Sequence, residues 1–173
     1  WDASGGIASW PIKGTRRRGA DPADDRIQSE SLRQDPKELA EHIMIVDLIR
    51  NDMGKVCKFG SINVDNLYGI QSFETVHQMV SRVYGTLSSN TLEIDIIKAL
   101  FPGGSITGAP KERSMEIIDT LENYQRGIYT GALGSIASNG DMNFNIAIRT
   151  MVVKDEKIYF QSGAGIVHDS NPE

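Results

Sequence analysis

The sequence predicts an α+β protein with antiparallel strands. Helical periodicity lies before Tyr124, whereas the last third consists of strand-like segments separated by short polar turns. Helices and strands do not alternate, so a parallel sheet built from βαβ units is not expected. The length of 173 residues is typical of one domain and sufficient for a hydrophobic core.

The composition is that of an ordinary soluble protein, with 39% hydrophobic and 24% charged residues. A formal net charge of -5 argues against a general nucleic-acid-binding protein. No apolar run approaches the roughly 20 residues of a membrane helix, and the first residues lack the pattern of a signal peptide. Cys57 is the single cysteine, and the three histidines show no zinc-site spacing. We therefore expect a cytoplasmic protein with no nucleic-acid or membrane partner.

The first half of the chain predicts one loop and one long helix. Residues 16–31 are charged and poor in apolar side chains, which predicts an exposed loop. The helix follows, because Asp35 can cap it and Pro36 suits its first turn. Four residues at helical spacing give this helix a buried stripe: Leu39, Ile43, Val46 and Ile49.

The middle of the chain predicts a strand and two further helices. Residues 73–87 are rich in β-branched and aromatic types and predict a strand. Residues 93–101 predict a short helix that Pro102 ends. The glycine-rich loop PGGSITGAPK then leads into a helix at about 110–124. Three of its residues are expected to face inward: Met115, Ile118 and Leu121.

The last third predicts an antiparallel meander. Its strands are residues 128–137, 143–153 and 157–162. The turns are expected at 139–141 and near Asp155.

Glu38 and Glu41 share one face of the long helix, one turn apart. Two such carboxylates can hold a hard cation such as Mg²⁺ through one or two direct bonds and several waters. A solvated helix face is the alternative interpretation of the same spacing. A metal site would also need acidic partners from another segment.

Lys13 is a candidate nucleophile. It lies between the pair Pro11 and Ile12 and the pair Gly14 and Thr15. In a low-dielectric pocket a lysine loses its proton more readily and can then attack an electrophile. An ordinary surface lysine is the alternative.

Arg149 lies in the predicted strand NFNIAIRTMVV, on the face that carries Asn143, Asn145 and Ala147. A guanidinium there can bind a carboxylate through two parallel hydrogen bonds. A surface arginine on an open sheet face is the alternative.

The stretches GGSITGAPK and SGAGIV could bind an anion or admit a ligand near the backbone, although each is also consistent with plain turns. The first is not a Walker A loop, because the GK[ST] ending is absent.

Seven strings occur in an order that resembles the chorismate-utilising enzymes: PIKGT, AEHIMIVDLIRND, HQMVS, FPGGSITGAPKERSMEIIDTLE, RGIYTGALG, IAIRT and GAGIVHDSNPE. That family contains anthranilate synthase component I, aminodeoxychorismate synthase component I, isochorismate synthase and salicylate synthase. The resemblance covers nearly the whole chain. It implies two packed antiparallel sheets ringed by helices, and one chorismate-binding catalytic domain over residues 1–173 that is incomplete at both ends.

Within the family, the motifs are most similar to aminodeoxychorismate synthase component I, because Lys13 stands where anthranilate synthase has alanine. The resemblance implies that Lys13 attacks ring carbon 2 of chorismate and expels the 4-hydroxyl. It also implies Mg²⁺ as cofactor and a glutamine amidotransferase subunit that supplies ammonia. The product is then 4-amino-4-deoxychorismate for folate synthesis.

The resemblance assigns the remaining roles position by position. Glu38 and Glu41 match the family's first pair of metal-site glutamates, and of the two Glu41 is favoured as the direct ligand. Arg149 and Tyr129 match groups that hold the enolpyruvyl carboxylate. The full set of substrate-binding positions is Gly14, Thr15, Gln78, Thr107, Tyr129, Arg149, Gly163 and Gly165.

One position departs from anthranilate synthase. Gln78 stands where that enzyme has a histidine, and glutamine cannot donate a proton as an acid. His77 is adjacent, but on a strand it should face the opposite side. This difference fits the lysine route better than an anthranilate-type mechanism.

The ends of the chain also depart from the family pattern. The family's general-acid glutamate has no counterpart before PIKGT, and its second pair of metal-site glutamates would follow Glu173. We therefore expect a fragment that is inactive alone. The alternatives are anthranilate synthase component I, a truncated module that binds an amidotransferase without turnover, an isochorismate synthase whose lysine would lie upstream, and an unrelated acidic ligand-binding domain.

Overall fold

The computed structural model describes residues 1–166 and residue 170. The elements in chain order are β1 (Gly6–Ser9), β2 (Ile12–Arg17), α1 (Pro22–Gln34), α2 (Pro36–Gly54), β3 (Asn63–Ser72), β4 (Val76–Thr86), α3 (Glu93–Leu100), α4 (Gly104–Thr107), α5 (Lys111–Leu121), β5 (Ala132–Ile136), β6 (Met142–Ile146), β7 (Met151–Lys154) and β8 (Lys157–Phe160). The named strands pair antiparallel throughout this part of the chain. The predicted α+β class with antiparallel pairing is confirmed.

The chain divides into two compact units. Unit 1 comprises Trp1–Leu100 with Ser138–Asp141, and unit 2 comprises Phe101–Ala137 with the residues from Met142 onward. Unit 1 therefore holds β1–β4 and α1–α3, and unit 2 holds α4, α5 and β5–β8. One catalytic domain over residues 1–173 stays a prediction. Among the helices of residues 1–166, none is long and apolar enough to cross a membrane.

Strand β4 is the centre of the unit 1 sheet, because β1, β2 and β3 all pair with it. β1 pairs with its C-terminal part, where Gly6 lies opposite Thr86, and β2 pairs with its N-terminal part, where Thr15 lies opposite Gln78. β3 runs along the other edge of β4. The core consists of side chains from the sheet, α2, α3 and their connections: Ile7, Val46, Met53, Val56, Cys57, Val83, Leu87, Ile96 and Ala99.

Helix α2 begins as predicted. The Asp35 side chain accepts hydrogen bonds from the backbone N–H groups of Lys37 and Glu38, and Pro36 occupies the first turn. Val46 is fully buried, and Ile43 and Ile49 pack against the core. The predicted stripe therefore fixes which face of α2 meets the sheet.

Helix α1 corrects the prediction of a loop at residues 16–31. Asp21 caps this helix by accepting from the N–H groups of Ala23 and Asp24, and Pro22 occupies its start. Leu32 alone among its residues is fully buried. A helix with one core residue lacks the apolar periodicity on which the sequence prediction depended.

Two expectations about unit 2 are wrong. Helix α5 contains no buried residue, and Met115 and Leu121 are exposed rather than inward-facing. The predicted strand 143–153 is divided into β6 and β7, because Arg149 has a left-handed backbone conformation with φ +52°. The predicted meander is therefore two hairpins, β5–β6 and β7–β8.

A charged network ties α1 to the sheet of unit 1. The guanidinium of Arg18 donates to both carboxylate oxygens of Asp25, at 2.8 and 2.7 Å. His77 Nε2 lies 2.9 Å from Asp25 Oδ1, and His77 Nδ1 lies 2.8 Å from the Ser72 hydroxyl. The Arg18 hydrogen bonds, followed by the N–H of Gly19, hold the pKa of Asp25 well below its usual range.

This network predicts acid sensitivity. The folded-state pKa of Asp25 is below the unfolded value of about 3.9, so its stabilising contribution is present above that value and is lost as the pH falls toward the folded pKa. We expect Asp25→Asn to destabilise the protein at about pH 6, and the difference from wild type to shrink at about pH 3. Urea unfolding at the two pH values measures both differences.

The control is Asp65→Asn, since Asp65 faces Arg82 at 3.4 Å in an exposed pair. It should change stability little at either pH. An Asp25→Asn difference that stays constant between the two pH values would contradict the assigned role.

Candidate active site

A bulge in β2 places Lys13 over helix α2. The pairing of β2 with β4 shifts register between Ile12 and Thr15, so the two residues between them leave the regular ladder. There the Lys13 ammonium nitrogen lies 2.5 Å from Glu41 Oε1. The two side chains are 26% and 23% exposed, so the ion pair is partly shielded yet open to solvent. The structure thus joins the predicted nucleophile to a predicted metal ligand.

Gly14 lets the bulge approach α2 closely. Its φ is +84°, and a Cβ at this position would lie 2.9 Å from Leu32 Cδ1 and 3.2 Å from Glu38 Oε2. A side chain at this position would therefore suffer both backbone strain and collision. Glycine is what allows Glu38 to reach the β2 backbone, so Gly14 shapes the site even though it has no side chain.

Arg16 completes this cluster, and the sequence analysis missed it. Its guanidinium lies 2.5 Å from Asp35 Oδ2 and 3.4 Å from Glu38 Oε1. With Lys13 and Glu41, two cations face three carboxylates, so the cluster carries one formal negative charge. The signal was the run of three arginines at 16–18, each of which has a carboxylate partner rather than lying free in a loop.

Gln78 and His77 point to opposite sides of β4. Gln78 is half-buried and lies opposite Thr15 of β2. His77 is buried and contacts Asp25 and Ser72 on the other side. His77 therefore faces away from Gln78, as predicted, and its inability to take the place of a histidine at position 78 stays a prediction.

A buried imidazole lies beside the cluster. His42 follows Glu41 on α2, is fully buried, and its Nε2 lies 2.7 Å from the Ser81 hydroxyl of β4. Burial lowers the pKa of His42, and the Lys13 backbone offsets that shift only in part. His42 therefore joins α2 to β4 through its contact with the Ser81 hydroxyl.

Unit 2 brings Tyr129 and Gly163 together. The Tyr129 hydroxyl lies 2.8 Å from the position that a Cβ would take at Gly163. Arg126 lies over the Tyr129 ring at 6.0 Å, and its guanidinium donates to both carboxylate oxygens of Glu122 at 2.7 and 2.5 Å. The Tyr129 hydroxyl therefore lies in the space that only a glycine at position 163 leaves open.

The other predicted residues of unit 2 are not joined by direct contacts among the described residues. Arg149 is exposed on the segment between β6 and β7. Thr107 is buried at the end of α4, where its hydroxyl lies 3.3 Å from the Gly108 carbonyl. Gly165 lies in the irregular segment after β8. Residues 167–169 and 171–173 of the motif GAGIVHDSNPE, which include Glu173, lie outside the described residues.

Glu38 and Glu41 offer the carboxylate oxygens that a hard divalent cation prefers. Both carboxylates face the β2 bulge, and Glu41 already binds a cation there, the Lys13 ammonium. No cluster of three or more His, Cys, Asp or Glu side chains with metal-binding geometry occurs among residues 1–166 and 170. Mg²⁺ commonly uses one or two carboxylates and fills its octahedron with water or substrate oxygens. The donor chemistry of the pair therefore suits Mg²⁺.

The chain matches known proteins along almost its entire length. The family described as chorismate binding enzyme matches residues 3–173. Anthranilate synthase component 1 of Aquifex aeolicus (strain VF5) is 49% identical over 169 residues, which cover 98% of this chain and 34% of that protein. The chloroplastic aminodeoxychorismate synthase of Arabidopsis thaliana is 44% identical over 99% of this chain and 19% of that protein.

A solved structure gives the same result for the fold. Anthranilate synthase component I from Streptococcus pneumoniae TIGR4 matches with a TM-score of 0.87 and 40% identity. The match covers 96% of this chain and 36% of that chain. The chain thus spans about a third of the length of the anthranilate synthase relatives.

The Gly14 geometry predicts a stability difference between two glycines. Gly5 has a φ of +90° with nothing within 4 Å of an added Cβ, whereas Gly14 has a similar φ and a blocked Cβ position. We expect Gly5→Ala to cost about 1 kcal/mol from backbone strain alone. Gly14→Ala should cost about 2 to 4 kcal/mol, because overpacking adds to the strain. Thermal and urea unfolding measure both, and equal losses would show that the contact with Leu32 and Glu38 is not tight.

Proposed function

The chain belongs to the family of chorismate binding enzymes, and on that premise we propose that it forms part of an aminodeoxychorismate synthase. The reaction replaces the 4-hydroxyl of chorismate with an amino group from ammonia and releases water. The observation that carries the proposal is the position of Lys13 at the β2 bulge, beside Glu41 and next to Gly14. A lysine there supplies the nucleophile that this route needs.

Lys13 divides a difficult displacement into two easier steps. Its amine forms a bond to ring carbon 2 while the ring double bonds shift and the bond from carbon 4 to the hydroxyl breaks. The hydroxyl takes up a proton and leaves as water. Ammonia then adds at carbon 4, the bond from carbon 2 to Lys13 breaks, and the amine is regenerated.

The ion pair with Glu41 has a consequence for the first step. An ammonium has no lone pair, so Lys13 must give up a proton and leave Glu41 before it attacks. Glu41 Oε1, at 2.5 Å, is in hydrogen-bond contact with that proton. Gln78 is on the neighbouring strand and can hydrogen-bond a substrate hydroxyl without acting as an acid.

Residues of unit 2 bind the carboxylates of chorismate in this proposal. Arg149 is exposed, and a guanidinium can grip a carboxylate with two hydrogen bonds. Tyr129 contributes its hydroxyl, and Gly163 and Gly165 contribute backbone N–H groups. Thr15 and Thr107 supply further hydroxyls.

Mg²⁺ held by Glu38 and Glu41 would neutralise and orient the ring carboxylate of chorismate. Both glutamates lie on one face of α2 toward the β2 bulge, which supports this role. We further propose that a glutamine amidotransferase supplies the ammonia, that the product serves folate synthesis and that the enzyme acts in the cytoplasm.

Anthranilate synthase component I is the second candidate. It is favoured by the relatives of that name, one of which is 49% identical to this chain. That reaction forms an aromatic product and needs no lysine nucleophile at position 13. The two candidates are therefore distinguished by what Lys13 does.

The test uses the complete gene product with chorismate, Mg²⁺ and ammonia, coupled to a lyase that converts aminodeoxychorismate to para-aminobenzoate. We expect lyase-dependent para-aminobenzoate, and a loss of about 100-fold or more with Lys13→Ala. Lys37→Ala is the control, because Lys37 is an exposed lysine of α2. Mass spectrometry identifies the products.

Anthranilate that appears without the lyase would assign the protein to the second candidate. No product from the wild type, with retained binding of an amidotransferase, would favour a non-catalytic module instead.

Arg149 generates a separate prediction about substrate affinity. Arg149→Gln removes a charge-assisted pair of hydrogen bonds, so the KM for chorismate should rise about 10- to 100-fold. Arg113→Gln is the control, since Arg113 pairs with Glu116 on the exposed face of α5. Steady-state kinetics measure both variants, and an Arg149→Gln enzyme with unchanged KM would exclude this residue from the substrate carboxylate.

A further inference from the structure

Glu41 already pairs with a cation of the protein itself, the Lys13 ammonium. Its Oε1 atom is 2.5 Å from the Lys13 nitrogen, while Glu38 is 3.4 Å from the Arg16 guanidinium. Both pairs are partly buried, so solvent screens them less than it screens a fully exposed pair. Any divalent ion that enters this site meets carboxylates that already pair with cations of the protein.

We propose that the Lys13 ammonium and a divalent cation bind Glu41 in a mutually exclusive way, so that cation binding detaches Lys13 from helix α2. The inference rests on the proposed roles of Lys13 and Glu41 and adds a coupling between them. Lys13 acts as a tethered cation that occupies the carboxylate until the metal arrives.

Geometry and charge both support exclusion. A lysine nitrogen at hydrogen-bond distance takes up the space next to Oε1 in which a metal would lie at about 2.1 Å. A positive charge on Lys13 also repels a second cation at the same oxygen. Arg16 differs, because Asp35 at 2.5 Å is a second carboxylate partner. Arg16 can therefore keep its position when Glu38 binds a metal ion instead.

Mutually exclusive binding of Lys13 and a metal ion to Glu41 gives the bulge in β2 a functional role. Regular pairing of β2 with β4 would continue through Lys13, whereas the bulge directs Lys13 onto α2 and Gly14 allows the close approach. When the ion pair opens, the four-carbon side chain has no remaining contact with Glu41 and can turn toward a ligand. The coupling is reciprocal: if metal binding weakens the Lys13–Glu41 ion pair, the ion pair weakens metal binding by the same factor.

The first test measures Mn²⁺ binding to the complete gene product by calorimetry, without chorismate. Lys13→Met should bind Mn²⁺ about 5- to 50-fold more tightly than wild type, because Glu41 then lacks a competitor. Lys13→Arg keeps the competing charge and should stay near the wild-type affinity. Lys37→Met removes an exposed charge from the same helix and should change the affinity less than about 2-fold.

The advantage of Lys13→Met should also disappear in the Glu41→Gln background. Equal or weaker affinity in Lys13→Met would overturn the proposal, as would an equal gain in Lys37→Met. A wild type and a Lys13→Met variant that both fail to bind Mn²⁺ would overturn it as well.

The second test needs only the wild type and reads the contact itself. A carbodiimide forms an amide bond between a lysine and a carboxylate that touch, so it should join Lys13 to Glu41 in the absence of metal. Mn²⁺ should suppress this cross-link and leave the one between Lys55 and Asp52, which lie 2.9 Å apart, unchanged. Peptide mass spectrometry measures both.

A Lys13–Glu41 cross-link that persists at saturating Mn²⁺ would contradict the exclusion. Neither test depends on turnover. The coupling can therefore hold even if the product assay fails, and it can fail even if the assay succeeds.

Discussion

The pairing of three strands with β4 is the interaction on which the structure of unit 1 depends. The β4 side chains Met79, Val80 and Val83 are buried. One edge of β4 holds both β1 and β2, so its register determines where the β2 bulge lies. Helix α2 packs its apolar stripe on the same sheet, which brings the two predicted metal ligands to that bulge. Apolar packing therefore positions the charged residues here.

The charges of the site are arranged in pairs that a substrate or metal must rearrange. Lys13 with Glu41, and Arg16 with Asp35 and Glu38, leave one net negative charge on a partly shielded surface. A fixed, fully satisfied network would make a rigid scaffold but a poor active site. A single excess negative charge and a lysine with one carboxylate partner are what the proposed second arrangement of the cluster needs. This is the physical link between the fold and the proposed chemistry.

The elements that carry strong signals within their own sequence were predicted correctly. Helix α2 had a cap, a proline and an apolar stripe, and β4 had dense β-branched residues; both were predicted from the sequence. Helix α1 was missed, because Leu32 is its one fully buried residue and ion pairs with Arg17 and Arg18, rather than an apolar stripe, tie it to the sheet. The contact of Lys13 with Glu41 spans 28 positions and depends on a bulge, which no local pattern reveals. The sequence pattern and the resemblance to a family both singled out Lys13 and Glu41, but only the structure shows that the two side chains are in contact.

The most direct measurement is intact-protein mass spectrometry of the complete gene product with chorismate and Mg²⁺ in the absence of ammonia. Without the second nucleophile, the proposed reaction stops after the first step. The prediction is a covalent adduct on Lys13 with the mass of chorismate minus water, lost on addition of ammonia and absent in Lys13→Ala. Formation of 4-amino-4-deoxychorismate by a wild-type enzyme that never carries this adduct would contradict the assignment of Lys13 as nucleophile.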